Sequence, residues 1–112
     1  MTIGVIGQGY VGTAIKLGFQ DHYKVLTYDK FDLAKSTHSK ISDLVEETKV
    51  IFVCVPTPMR KDGTCYTGIV EEVIREINET ANDHIVVIKS TVPPGTTDKF
   101  NHEFSNVTVI FN

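Results

Sequence analysis

The sequence predicts an α/β fold: an open, doubly wound parallel sheet of five strands, in a single domain over residues 1–112. Three observations carry that prediction. Short β-branched runs alternate four times with segments of helical period, the pattern of successive βαβ crossovers. The third and fourth apolar runs are continuous rather than alternating, as in strands covered on both faces. No repeat, low-complexity tract or Gly/Ser linker divides the chain.

Ile3–Ile6 reads as the first strand. Val11, Ile15, Gly18 and Phe19 then fall at i, i+4, i+7 and i+8, one stripe of a helix over Tyr10–Gln20. Lys24–Tyr28 is the second strand, followed by a short helix near Ser42–Thr48 and a third strand over Val50–Val55. Ile69, Val70, Val73, Ile74 and Ile77 form the strongest helical stripe, with Glu71, Glu72, Arg75 and Glu76 opposite as a wet face. Ile85–Ile88 is the fourth strand, Phe100 and Phe104 mark a helix over Thr96–Phe104, and Val107–Phe111 is the fifth strand.

The expected strand order is 2-1-3-4-5. The first crossover leaves strand 1 on one side, and the third strand returns to the other side to open a cleft. The stretch between Asp29 and the third strand has no room for a further strand outside strand 2. The fifth strand ends one residue before Asn112, so the chain reads as cut from a longer protein. Apolar surface near Val107, Val109 and Phe111 is then expected to be open to self-association or a partner chain.

A chain of 112 residues can bury roughly two-thirds of its unfolded surface, enough for one core without staples. Its 41% hydrophobic and 22% charged residues exclude a disordered chain. Eleven Lys+Arg against fourteen Asp+Glu, with no basic run, give no electrostatic support for a nucleic-acid or anionic-membrane partner. The longest apolar run, Val50–Val55, is far below the ~18 residues of a membrane span, and the amino terminus lacks the pattern of a signal peptide. Cys54 and Cys65 form neither a CxxC nor a His-flanked arrangement, so a cytosolic, reducing setting without zinc or disulfide is expected. His22, His38, His84 and His102 show no metal-ligand spacing and read as solvated side chains.

Gly7-Gln8-Gly9-Tyr10-Val11-Gly12 is a G-x-G-x-x-G between the first strand and the first helix. Gly7 permits the tight turn, Gly9 lets a pyrophosphate approach the backbone, and Gly12 lets helix pack on strand. The helix start at Tyr10 and Val11 offers unpaired N–H groups and a partial positive charge to phosphates. The pattern alone is weak, since protein-kinase loops share it and a flavodoxin-like domain can carry a chance Gly-rich turn. Asp29 supplies the confirming context: it closes the second strand about 20 residues on, where a carboxylate accepts the adenosine ribose hydroxyls. A Rossmann-like NAD site is therefore expected. Lys30 stands at its rim; a 2′-phosphate there would meet Asp29, so Lys30 reads as solvated. Pro56-Thr57-Pro58 and Lys89-Ser90-Thr91-Val92-Pro93-Pro94-Gly95 end the third and fourth strands on the ligand edge of the sheet, where stiff turns make a pocket wall.

These three segments, Gly4–Gly12, Phe52–Pro58 and Lys89–Thr97, resemble in order the amino-terminal NAD-binding domain of the UDP-glucose/GDP-mannose dehydrogenase family. The resemblance implies oxidation of a nucleotide-sugar C6 alcohol to a carboxylate with two NAD+, through a cysteine thiolate on a later domain. It implies that Asp29 holds the ribose, that Pro56, Thr57 and Thr91 line the cofactor cleft, and that Thr91 helps hold a catalytic water. Three departures follow. Residues 30–51 are fewer than the family carries there, so a reduced sheet is expected. Tyr66 stands where the family shows an Asp after the D-G turn. The family's Pro-Glu-Phe-Leu segment, cysteine nucleophile and sugar-nucleotide domain have no counterpart in these residues, so a nucleotide sugar is expected to bind only together with a carboxyl-terminal half. Cys54, inside an apolar strand, reads as a small hydrophobe and Cys65 as an ordinary loop thiol. Two other readings stay open: a stand-alone dinucleotide-binding module that works through a partner chain, and the cofactor domain of a β-hydroxyacid-type dehydrogenase. The V-P-T-P and K-S-T-V-P motifs disfavour the second of these.

Overall fold

A computed structural model describes residues 1–112. Its elements run β1 (Thr2–Ile6), α1 (Tyr10–Phe19), β2 (Lys24–Tyr28), a 3-10 turn (Leu33–Lys35), α2 (Ile41–Glu46), β3 (Val50–Val53), α3 (Gly68–Thr80), β4 (His84–Ile88), α4 (Thr96–Glu103) and β5 (Val107–Phe111). The strands form one sheet in the order β2-β1-β3-β4-β5, and every neighbouring pair is parallel, as the sequence predicts.

Strand direction decides which face each helix covers. The step from β1 to β2 runs one way across the sheet, and every later step runs the other way. Right-handed crossovers therefore put α1 on one face and α2, α3 and α4 on the opposite one. The row Leu26, Ile51, Val86 and Val109 packs with Leu44, Val45, Val70, Ile74, Ile77, Phe100 and Phe104 from the three helices, which forms the core. Gly4 in the same row leaves room for the Leu44 side chain, whose Cδ2 would lie 2.5 Å from an added Cβ. On the other face, Phe19 of α1 stacks against Phe52, with ring centroids 5.6 Å apart.

Only α1 covers that second face, so the expectation that β3 and β4 are covered on both sides fails in part. Ile85 of β4 is 42% exposed and Ile110 of β5 is 46% exposed. The expectation for β5 changes as well. Val107 and Val109 are buried beneath α4, while Phe111 is exposed along with Ile110. Asn101 of α4 also occupies the free edge of β5: its Nδ2 donates to the Val109 carbonyl at 2.8 Å, and the Val109 N–H donates to its Oδ1 at 2.7 Å. A strand edge filled at its centre in this way is closed to edge-on pairing there.

No strand lies outside β2. Residues 36–38 strap its free edge instead. The Thr37 N–H donates to the Thr27 carbonyl at 3.0 Å, the Thr27 N–H donates to Thr37 Oγ1 at 2.8 Å, and the Asp29 N–H donates to Ser36 Oγ at 2.8 Å. β3 stops at Val53, two residues short of the expected Val55. Cys54 still donates its N–H to Ile6, but Pro56 has no N–H with which to continue the ladder. His84, expected at the surface, is buried: the Asn82 N–H donates to Nδ1 at 2.9 Å, and Nε2 lies 2.8 Å from the Val45 carbonyl oxygen. Both ring nitrogens are partnered, which makes the burial affordable.

Candidate functional site

The turn from β1 into α1 is built around two glycines that no other residue can replace without movement. Gly7 has φ +96°, a left-handed conformation, and an added Cβ would meet the Cys54 carbonyl oxygen at 2.6 Å. A Cβ on Gly12 would lie 1.7 Å from the Gly7 carbonyl oxygen. Gly9 differs from both, because nothing lies within 4 Å of the position a Cβ would take. It is the N-cap of α1 and supplies no side-chain cap, and the first helical turn contains no acid. The helix therefore begins with unsatisfied N–H groups facing open space, the arrangement that accepts a phosphate. The residues present fit a dinucleotide.

That space is a cleft of about 540 Å³ at the carboxyl ends of β1, β2 and β3. Gly7, Gly9, Tyr10, Val11, Asp29, Lys30 and Pro56 all line it, while Gly12 is buried behind the loop. Asp29 ties the cleft together. Its Oδ2 accepts the Gln8 N–H at 2.7 Å, which fastens the end of β2 to the glycine loop. Its Oδ1 accepts the Phe31 N–H at 2.9 Å. Each carboxylate oxygen keeps a second lone-pair direction for a ribose hydroxyl. Thr57 and Thr91 do not line this cleft. Thr57 is half-buried beyond β3, and Thr91 is exposed beyond β4, farther along the same sheet edge. Ser90 donates its hydroxyl to the Val55 carbonyl at 2.6 Å and so joins the turns after β3 and β4.

Sequence reading missed several lining residues. Phe31 and Asp32 follow Asp29 in a turn with no motif of its own. Glu72 and Glu76, read as part of a wet helix face, also border the cleft, beside Ile69 and Val73. The lining therefore holds four acids, Asp29, Asp32, Glu72 and Glu76, against one cation, Lys30. Such a balance opposes a phosphate away from the helix start. A wider groove of about 810 Å³ runs along α2 and α3. Of its charges, Arg75 pairs with Glu71 at 3.7 Å within the groove and with Glu103 of α4 at 3.2 Å outside it.

Cys54 also borders the cleft. Burial pushes its thiol up to about 11, with Lys89 pulling weakly the other way. At pH 8 only ~0.1% of it is thiolate, so it is a poor nucleophile. Cys65 sits in a hairpin closed by its bridge with Met59. Iodoacetamide at pH 8 is expected to alkylate Cys65 at least about tenfold faster than Cys54. Peptide mapping by mass spectrometry checks this, and equal rates would contradict the burial of Cys54. No group of three or more His, Cys, Asp or Glu side chains is placed to hold a metal ion, and no helix is long and apolar enough to cross a membrane.

Parallel sheet, glycine turn, open helix start and an acid closing β2 together define a Rossmann-like dinucleotide-binding domain. The chain belongs to the UDP-glucose/GDP-mannose dehydrogenase family, whose NAD-binding domain matches residues 27–109. It is similar to the UDP-N-acetyl-D-mannosamine dehydrogenase of Pyrococcus horikoshii, at 30% identity over 137 aligned positions that cover 96% of this chain and 32% of the relative. Those positions outnumber the chain's 112 residues, so the relative carries segments within the span that this chain lacks. Among solved structures, a UDP-glucose dehydrogenase from Pyrobaculum islandicum matches with a TM-score of 0.82 at 25% identity, covering 98% of this chain and 34% of that one. A GDP-mannose dehydrogenase from Pseudomonas aeruginosa matches in fold with a TM-score of 0.86 at 24% identity, over 100% of this chain and 36% of that one. The chain thus spans about a third of the length of these relatives. The family's enzymes are NAD-dependent dehydrogenases.

Proposed function

We propose that residues 1–112 are the cofactor-binding unit of a cytosolic nucleotide-sugar 6-dehydrogenase, which passes a hydride from the C6 alcohol of a substrate such as UDP-glucose or GDP-mannose to NAD+. The observation that carries this reading is the Asp29 carboxylate fastened by the Gln8 N–H at 2.7 Å, which sets a ribose acceptor beside the glycine loop. In this reading Gly9 and the helix start at Tyr10 and Val11 receive the pyrophosphate, Asp29 accepts the adenosine ribose hydroxyls, and Lys30 stays solvated at the rim. Pro56, Thr57 and Thr91 continue the wall toward the nicotinamide, and Thr91 orients a water there. The nicotinamide supplies the hydride acceptor.

Hydride transfer requires the alcohol carbon within ~3–3.5 Å of the nicotinamide, so residues that hold the sugar must complete the site. Cys54, whose thiol burial pushes up to about 11, is poorly suited to be the family's nucleophile, and Cys65 sits in a loop hairpin outside the cleft. Calorimetry on the 112-residue chain is expected to show weak NAD+ binding, with NADP+ weaker by about 5- to 150-fold, the cost of setting a 2′-phosphate against Asp29. Absorbance at 340 nm is expected to show no NADH from this chain with either UDP-glucose or GDP-mannose. Equal or tighter NADP+ binding would overturn the cofactor assignment. Robust turnover abolished by Cys65→Ser would overturn the division of labour.

A further inference from the structure

We infer that Phe31 is the platform on which the adenine ring of the dinucleotide stacks, an inference that rests on the cofactor reading above. Phe31 is 85% exposed and stands on the lining of the cleft. A bare aromatic ring has no role in a core it does not touch, and its exposure is a standing cost that a flat apolar ligand would remove.

Its position is fixed by the same carboxylate that faces the ribose. The Phe31 N–H donates to Asp29 Oδ1 at 2.9 Å, and the Asp32 N–H closes the turn onto the Asp29 carbonyl at 3.3 Å. Two residues of chain span at most about 7 Å, which keeps the ring within the reach of a base attached to the ribose that Asp29 holds. Lys30 Nζ lies 5.9 Å from the ring centroid, a cation–π contact that steadies the ring at the rim. Ile41 of α2, which is buried, adds apolar surface to the same cleft. The acids near this end disfavour an additional phosphate but not a neutral purine. Stacking on an aromatic face requires no hydrogen-bond readout, so the turn needs no further polar partner for the base.

The test uses the full 112-residue chain with NAD+ and ADP-ribose as probes, read by calorimetry and by the adenine H2 and H8 resonances. Phe31→Ala is expected to weaken both ligands by about tenfold and to abolish the upfield shift of H2 and H8 that a stacked ring produces. Phe31→Tyr, which keeps the aromatic face, is expected to retain both affinity and shift. Thermal melting of the two variants should match that of the unmutated chain, because the ring lies outside the core. Unchanged affinity in Phe31→Ala, or an upfield shift that survives it, would overturn the inference while leaving the cofactor reading intact. An unmutated chain that binds neither ligand would overturn the cofactor reading itself.

Discussion

Asp29→Ala is expected to weaken NAD+ binding by roughly 30- to 150-fold while NADP+ binding changes little, so the preference between the two largely disappears. Charge-assisted hydrogen bonds from two ribose hydroxyls account for about 2–3 kcal/mol of that loss. The convergence follows from charge. NADP+ gains from losing a like charge what it forfeits in hydrogen bonding, whereas NAD+ only forfeits. The folded chain is also affected, since the Gln8 and Phe31 N–H groups lose their acceptor. Phe31 is exposed and water replaces its acceptor, but Gln8 is buried and its N–H is left short of a partner, so the stability cost should be about 1–3 kcal/mol. Asp29→Asn is not a gentler substitute: the amide presents one oxygen and one NH2 to two N–H donors, so one donor faces another. Calorimetry with both nucleotides, paired with thermal melting, checks the prediction. Unchanged NAD+ affinity in a folded Asp29→Ala chain would place the ribose elsewhere.

The sheet was legible in the sequence because its signals are local. Five β-branched runs, three good amphipathic stripes and a glycine fingerprint each fall within a window of a dozen residues, and the strand order follows from handedness and the short return after Asp29. What escaped depends on pairings far apart in the chain. His84 reads as polar, and only the Val45 carbonyl, 39 residues away, together with the Asn82 N–H makes its burial tolerable. Val109 reads as exposed apolar surface, and only the packing of α4, set by the β4–β5 pairing, buries it. The same division holds in the cleft. Gly7, Gly9 and Asp29 announce themselves by spacing, whereas Glu72 and Glu76 reach it only because the α3 face that carries them borders the end of β1. Phe31 carries no pattern at all, since its significance lies in being exposed beside Asp29. Thr57 and Thr91, by contrast, sit on the predicted sheet edge but outside the cleft.

The glycine loop separates folding from binding within six residues, and Gly12→Ala is expected to show the folding side. Its Cβ would lie 1.7 Å from the Gly7 carbonyl oxygen and 2.8 Å from the Gly7 carbonyl carbon, both backbone atoms. Gly7 has no freedom to retreat: its N–H donates to the Tyr28 carbonyl at 2.8 Å, and its own Cα faces the Cys54 backbone. The clash therefore has to be relieved by tilting α1 away from β1. Overpacking of this kind costs about 3 kcal/mol or more. In a chain of this size that lowers the melting temperature by roughly 10 °C or more, with or without nucleotide. Gly9→Ala should do the opposite. With no atom within 4 Å of the added methyl and φ at −75°, the fold accepts it, and the melting temperature should fall by no more than about 5 °C, the cost of Ala at an N-cap. The methyl then fills the space through which a pyrophosphate must approach the helix start, and NAD+ binding should fall by at least about tenfold. Calorimetric melting and NAD+ titration of the two variants, side by side, decide the matter. A Gly12→Ala chain as stable as the original would refute the packing of α1 on β1. A Gly9→Ala chain that binds NAD+ normally would show that the pyrophosphate does not cross the loop at Gly9.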